Sequence, residues 1–188
     1  MLTQRLLHTI NNGVSWIVIC LAIYILVTPF LPDAQYQITK TIAAAVPSLK
    51  QTTPEALPSE NRLVIPEIGV NAPILESESP AILDQGIWRR PNTSTPDVGG
   101  NTVLVGHRFM YTSGPTTFYL LPKLQVGDSI TVYWNHAKYS YLVKSIEVVQ
   151  PTAIEVEAPS TEPLLTLYTC TPLWNPTQRF VIRATPQS

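Results

Sequence analysis

Residues 166–184 read TLYTCTPLWNPTQRFVIRA, two apolar runs joined by a polar loop that contains proline. The first run ends at Cys170 and the second begins at Arg179. Short apolar runs bounded by Pro and Asn are typical of β-strands. The pattern predicts two successive strands that present a thiol and a guanidinium at one rim of a sheet, because neighbouring strands lie roughly 4.8 Å apart.

Further short apolar runs precede this stretch from residue 61 onwards. Ser79-Pro80 predicts a helical turn through Leu83, with Ser as the N-cap and Pro at the first helical position. Asn135-His136-Ala137-Lys138 predicts a hairpin turn. Seven or more short strands with few helices predict an all-β fold, either a closed barrel or a sandwich. The runs are residues 63–66, 70–75, 102–106, 129–134, 139–149, 164–170 and 179–184.

The composition excludes one broad class of function. The chain has 188 residues, of which 13% are charged, and its formal net charge is -1. Nucleic-acid binding needs clustered Lys and Arg to neutralise phosphates, and no such cluster is present in the sequence. We therefore predict one domain with no nucleic-acid partner.

An uncharged apolar segment, VSWIVICLAIYILVTPFL, occupies residues 14–31. At about 1.5 Å per residue it can span a bilayer core of ~30 Å. The alternative is a secretory signal peptide, which needs a small-x-small cleavage site directly after the apolar region. Pro29 to Asp33 provides none, so we predict an uncleaved anchor in membrane lipid. Residues 1–13 are then a short cytoplasmic tail, and the remainder lies outside a single-pass cell-membrane protein.

The region between the anchor and the strands is predicted to be a linker. Residues 32–60 contain Pro47, Pro54 and Pro58 among Gln, Thr, Ser and Ala. A flexible coil of this length has a typical reach of roughly 30 Å. Residues 61–188 then form the folded domain that contains the predicted strands.

The two cysteines, Cys20 and Cys170, lie in the apolar segment and near the end of the chain, so they are not expected to pair. A single cysteine left over in an exported domain indicates a reactive thiol or an intermolecular disulfide. Of the three histidines, His8 precedes the anchor and His136 lies in a predicted turn. His107 follows the apolar run that ends at Gly106, which places it at the end of a strand.

Cys170, His107 and Arg179 together suit acyl transfer. A thiolate attacks a carbonyl carbon, an imidazole carries the proton, and a fixed cation stabilises the oxyanion. Arg183 shares the strand parity of Arg179 and is the alternative cation. A metal site needs three or four ligands, and Cys170 with His107 supplies two, so we predict no metal and no cofactor.

TLYTC resembles the TLxTC signature of sortases, the membrane-anchored cysteine transpeptidases of bacterial envelopes. GNTVLVGHR at residues 100–108 is similar to the sortase strand that ends in the active-site histidine, and LQVGD at residues 124–128 is also similar. The nine-residue step from Cys170 to Arg179 looks most like class E.

The resemblance implies a closed β-barrel of about eight strands. It also implies Cys170 as nucleophile, His107 as proton carrier and Arg179 as the group that steadies the substrate or oxyanion. The implied substrate is a surface protein with a C-terminal sorting signal of the form Leu-Pro-x-Thr-Gly. Cleavage after Thr gives a thioacyl enzyme, which an amine acceptor of the cell envelope resolves.

Three residues are expected to bind the substrate. The resemblance places Thr169 in the pocket beside Cys170. Class E members often carry Tyr before a Pro in the loop that precedes the histidine strand, whereas this chain has Arg90 before Pro91, with Trp88 nearby. The alternatives to a transpeptidase are a sortase-fold endopeptidase without efficient transfer and a non-enzymatic adhesive β-domain.

Overall fold

A computed structural model of the protein describes residues 2–45, 57–109 and 117–187. The chain divides into two compact units, Met1–Thr41 and Ile42–Ser188. Helix α1 spans Leu2–Val27 and helix α2 spans Leu31–Ala45, with the 3-10 turn Thr28–Phe30 between them.

Helix α1 contains the apolar segment predicted from the sequence. Leu7–Phe30 has a mean hydropathy of 2.2 and is long and apolar enough to cross a membrane. The helical segment thus begins before the predicted Val14. Its hydroxyl groups bond back to the helix, since Ser15 donates to the carbonyl of Asn11 at 2.8 Å and Thr28 to that of Tyr24 at 2.6 Å. Such bonds suit a polar side chain in an apolar surrounding, where no water can serve as partner.

The prediction of a flexible coil for residues 32–60 was wrong for the first half of that segment. Helix α2 covers Leu31–Ala45, whereas the sequence interpretation placed a flexible linker from residue 32. Pro32 lies in the first turn, where its missing N–H costs nothing, and the helix ends in three alanines, the best helix formers. Residues 46–56 of the predicted linker lie outside the described residues.

Eight strands form a closed barrel in the order β1-β2-β3-β4-β7-β8-β6-β5, which confirms the predicted barrel. The β2–β3 and β4–β7 pairs are parallel and the other pairs are antiparallel. The strands are β1 Arg62–Ile65, β2 Val70–Glu76, β3 Ile87–Arg89, β4 Asn101–Val105, β5 Ser129–Trp134, β6 Ala137–Val149, β7 Leu164–Thr171 and β8 Gln178–Pro186.

Side chains from every part of the sheet fill the barrel. Closure removes the exposed sheet edges that would otherwise pair with other chains. Burying each large aliphatic side chain contributes about 1.5–3 kcal/mol. Those with no solvent exposure include Leu63, Ile65, Ile87, Leu104, Ile130, Leu165, Leu167 and Ile182.

The β5–β6 hairpin has a tighter turn than the sequence predicted. Trp134 pairs with Ala137, so the loop is Asn135-His136 alone. Both residues have positive φ, 48° and 61°, as a type I′ turn requires. His136 is exposed at this turn.

Candidate active site

Cys170 and Arg179 lie directly opposite each other on β7 and β8. Both residues are half-buried. Directly opposed residues in an antiparallel pair point to the same face, with Cβ atoms ~4.5–5.5 Å apart. The sequence prediction that the loop returns the guanidinium to the thiol is therefore supported, and the loop itself is Pro172–Thr177.

His107 is brought to the same end of the sheet by the parallel pairing of β4 and β7. Val105 pairs with Tyr168, and the next residue continues the pairing, since the Gly106 N–H donates to the carbonyl of Tyr168 at 3.4 Å. The Thr169 hydroxyl also donates to the Gly106 carbonyl at 2.8 Å. Continuing this register by one residue places His107 level with Cys170.

The backbone around His107 is tightly held. The Phe118 N–H donates to the His107 carbonyl at 2.8 Å. A Cβ atom on Gly106 would lie 2.9 Å from Ile87 Cδ1 and 2.9 Å from Phe118 Cδ2, both on fully buried side chains. Glycine is the residue that fits here without moving its neighbours. Because Gly106 packs closely on Ile87 and Phe118, the backbone position of the next residue, His107, is fixed.

The His107 ring contacts a carboxylate that the sequence interpretation missed. Nε2 of His107 lies 3.1 Å from Oδ1 of Asp84. Asp84 ends the 3-10 turn Pro80–Asp84, which begins as predicted with Ser79 accepting a hydrogen bond from the Ala81 N–H at 3.3 Å. The two residues are separated by 23 positions, so no local pattern indicates the contact.

Arg179 and Arg183 occupy different levels of the same face. Arg183 is opposite Thr166, four residues before Cys170, and its Nε donates to Glu147 at 2.8 Å. Arg179 is level with the thiol, and its Nη1 donates to the carbonyl of Gln178 at 3.2 Å. This placement favours Arg179 as the cation of the site.

Two of the three expected substrate-binding side chains are buried. Thr169 is 1% exposed and its hydroxyl holds β7 to the end of β4. Trp88 is 4% exposed and its indole N–H donates to the carbonyl of Ser77 at 2.9 Å. Both side chains are therefore mostly shielded from solvent, and their role in binding substrate stays a prediction.

Arg90, the third expected substrate-binding residue, joins a polar network on the Cys170 face. Its guanidinium lies 4.6 Å from the Trp88 ring centroid, and its Nε donates to Glu157 at 2.9 Å. The Tyr168 hydroxyl donates to the same carboxylate oxygen at 2.5 Å. Tyr168 is two residues from Cys170, so the strand alternation of TLYTC was the signal that places it on this face.

Burial and the shared carboxylate of Glu157 together set the charge states in this network. Burial raises the pKa of Tyr168, and its hydrogen bond to Glu157 raises it further, so the phenol stays neutral. Burial lowers the pKa of Arg90, but the hydrogen bond to Glu157 and the charges of Tyr168 and Glu157 together outweigh burial, so the net shift is upwards. The network therefore holds a neutral phenol and a paired guanidinium on the Cys170 face.

An aromatic group lies beside the site. Phe109, two residues after His107, makes edge-to-face contacts with Tyr119 and Trp174, each with ring centroids 5.9 Å apart. Trp174 belongs to the loop between β7 and β8 and is 63% exposed. These contacts link the segment after the histidine to the loop after the cysteine.

A cavity of about 320 Å³ lies away from the thiol, at the start of β4. It is lined by the β3–β4 loop and by residues around Glu157, and Gly99, Gly100 and Asn101 line its β4 end. Among the described residues no group of His, Cys, Asp and Glu could hold a metal ion. Cys20 and Cys170 are both free thiols.

A thiol, an imidazole and a guanidinium on one closed barrel are the features of a cysteine transpeptidase of the sortase type. Comparison of the chain with known families and proteins agrees with this class. The sortase domain model matches residues 63–187, so the chain belongs to the sortase family. Sortase D of Bacillus subtilis strain 168 is 27% identical over 135 residues, 69% of this chain and 64% of the relative. Sortase A of Bacillus anthracis is 29% identical over 121 residues, 64% of this chain and 56% of the relative.

Solved structures show the same barrel. A Clostridium perfringens sortase D5 transpeptidase superposes with a TM-score of 0.61 at 28% identity, covering 69% of this chain and 79% of that one. The alignments span less than two thirds of the length of the two curated relatives.

Proposed function

We propose that the protein is a membrane-anchored cysteine transpeptidase that cleaves a C-terminal LPxTG-like sorting signal after Thr and transfers the protein to an amine acceptor of the cell envelope. The observation that carries the proposal is the convergence of three strands on one rim. Cys170 is opposite Arg179 on β7 and β8, and the parallel β4–β7 register ends at Val105 and Tyr168, two residues before His107 and Cys170. The sortase family membership supports the same activity.

In the first half-reaction the Cys170 thiolate attacks the carbonyl carbon of the substrate Thr. The oxyanion accepts hydrogen bonds from the Arg179 guanidinium, which cannot lose its charge at any physiological pH. The intermediate collapses, the C–N bond breaks, and the leaving amine takes a proton from the His107 imidazolium. A thioester on Cys170 remains.

In the second half-reaction an acceptor amine attacks the thioester carbonyl and gives its proton to His107. Collapse of that intermediate forms the new amide and releases the Cys170 thiolate. Water in place of the amine would give hydrolysis, which is the endopeptidase alternative.

The membrane location rests on Leu7–Phe30. A helix of this length can cross the bilayer once, and we propose an inside N-terminus with the barrel outside. Class E stays a prediction that rests on the spacing between Cys170 and Arg179. The curated relatives are named sortase D and sortase A, so they do not test it.

Full-length protein in detergent, incubated with pentapeptides of the sorting type and several amine acceptors, tests the proposal by product mass. We expect transfer products, and we expect Cys170→Ala and His107→Ala to lose nearly all turnover. His136→Ala is the matched control, since His136 lies at the exposed β5–β6 turn. Hydrolysis alone would favour an endopeptidase, and an active His107→Ala protein would end the Cys–His mechanism.

The rate should depend on pH as a bell, because attack needs the thiolate and amine departure needs a proton donor. His107→Ala should remove the bell, while His136→Ala should leave it unchanged.

A further inference from the structure

Within the described residues, the carboxylate of Asp84 lies in contact with the His107 ring. Oδ1 of Asp84 lies 3.1 Å from Nε2 of His107, within hydrogen-bond range. An imidazole that donates Nε2–H to a carboxylate keeps Nδ1 unprotonated in its neutral form. Nδ1 is then the nitrogen left to exchange a proton with the thiol.

The turn that carries Asp84 is held at both ends. At its start Ser79 caps the Ala81 N–H, and at its end the Gln85 N–H donates to the Ile82 carbonyl at 2.9 Å. Gly86 follows directly and packs closely on β2, since a Cβ there would lie 3.1 Å from the Pro73 carbonyl oxygen. The backbone that carries Asp84 is thus held against the barrel.

We propose that Asp84 is the positioning residue of the active site: its carboxylate fixes the His107 tautomer with Nε2–H outward and stabilises the imidazolium that protonates the leaving amine. The proposal rests on the proposed role of His107 as proton carrier. Asp84 itself touches neither the substrate nor the reacting atoms.

The surroundings determine how large the effect is. The side chains of His107 and Asp84 are 37% and 68% exposed, so water screens their attraction. The other charged or titratable groups on the elements that meet here are Arg108, which follows His107 in the sequence, Tyr168 and Cys170 on β7 and Arg179 on β8. Arg89 at the end of β3 and Arg90 just after it are each paired with a carboxylate, Glu76 and Glu157. Asp84 is therefore the acid placed to favour the imidazolium.

Two variants separate orientation from charge. Asp84→Asn keeps an oxygen that can accept the Nε2–H but removes the charge, and Asp84→Ala removes both. Glu78→Gln is the matched control, because Glu78 is an exposed acid in the segment just before the same turn. All variants are made in full-length protein with Cys20→Ser, which leaves Cys170 as the single thiol.

The first readout is the ring ¹⁵N spectrum of histidine-labelled protein, with His8→Gln and His136→Gln used to assign the other two rings. We expect one tautomer of His107 in the parent and in Asp84→Asn, and averaged nitrogen shifts in Asp84→Ala. Glu78→Gln should match the parent. This readout does not depend on turnover.

The second readout is the pH profile of Cys170 alkylation and of peptide transfer. Both Asp84 variants should move the alkaline limb to lower pH, because the imidazolium is lost earlier without the carboxylate. We expect kcat/KM to fall about two- to fivefold, the range of an exposed charge pair. Glu78→Gln should keep the parent value.

The proposal stands only if both readouts change in Asp84→Ala. If either the ring spectrum or the profile of Asp84→Ala matches the parent while His107→Ala is inactive, the role of Asp84 is refuted and the proposed function is not. If His107→Ala is active, the proposed function fails instead, and the ring spectrum still reports whether Asp84 sets the tautomer.

Discussion

Replacing Gly106 by Ala should damage the site through packing alone. The added Cβ would lie 2.9 Å from both Ile87 Cδ1 and Phe118 Cδ2, whereas carbon atoms normally pack ~3.5–4.0 Å apart. Two fully buried side chains must therefore move by about 0.6 Å or more. Overpacking of this kind costs about 1–3 kcal/mol of unfolding free energy. For a domain of this size the melting temperature should fall by about 4–12 °C.

The same displacement should reduce turnover beyond what lost stability explains. Gly106 precedes His107, and the Phe118 N–H is bonded to the His107 carbonyl. A shift of ~1 Å in a catalytic group can cost ~10²-fold in rate. We expect full-length Gly106→Ala in detergent to remain folded at 25 °C and to transfer peptide about 10–100-fold more slowly. A variant that melts and turns over like the parent would refute the packing argument.

A double-mutant cycle identifies the cause. Ile87→Val removes the Cδ1 atom nearest the new methyl group and alone costs about 0.5–1.5 kcal/mol. Gly106→Ala should therefore cost less in the Ile87→Val background, measured by urea unfolding of the four proteins. Phe118 still crowds the position, so recovery should be partial. Strictly additive costs would show that Ile87 does not oppose the methyl group.

Three further predictions concern separate parts of the molecule. Arg179→Ala should lower peptide transfer about 10²–10³-fold, whereas Arg183→Ala should retain it because that guanidinium is bonded to Glu147; the reverse result would exchange their roles. Burial, and then nearby Tyr139, raises the pKa of Tyr141 to about 12, so the unfolded chain ionises first and the free energy of unfolding falls between about pH 10 and 12. Between pH 8 and pH 11 the free energy of unfolding should decrease by about 1 kcal/mol less in Tyr141→Phe than in the parent. An equal decrease in the two proteins, measured by urea unfolding, would contradict this prediction. The full-length protein should stay in membranes after carbonate washing and keep Met1, whereas a soluble product starting near Asp33 would indicate a cleaved signal peptide.

The strands could be predicted where the apolar pattern is local and long enough. β7 and β8 follow from the runs that flank the loop, and β5 and β6 from runs separated by a turn sequence. β3 was missed because Ile87–Arg89 is only three residues long and exists through its pairing with β2 and β4. Helix α2 was missed because Pro47, Pro54 and Pro58 indicate a coil for the whole linker, although all three lie after the alanines that end the helix.

The contacts that tune the site lie beyond what a local pattern can indicate. Asp84 and His107 are 23 positions apart, and Arg90 and Glu157 are 67 apart. Each contact depends on how a turn or a 3-10 helix packs on the barrel, which no spacing rule specifies. By contrast, Cys170 and Arg179 belong to one hairpin, so their nine-residue separation already carried the geometry.

The order of strands explains why the site needs this barrel. A hairpin is sufficient to set Cys170 beside Arg179, but His107 is more than sixty positions away and comes to the same end of the sheet only because β4 lies parallel to β7. Parallel strands end at the same edge, so the residues just after β4 and near the end of β7 meet there. The Thr169 hydroxyl then bonds the Gly106 carbonyl and extends that pairing by one more residue. Thr169→Val, which keeps the shape and removes this bond, should therefore lower transfer and leave Cys170 opposite Arg179. The fall should exceed that of Thr166→Val, whose hydroxyl bonds Asn101 at the far end of the strand, and equal losses in the two variants would contradict it.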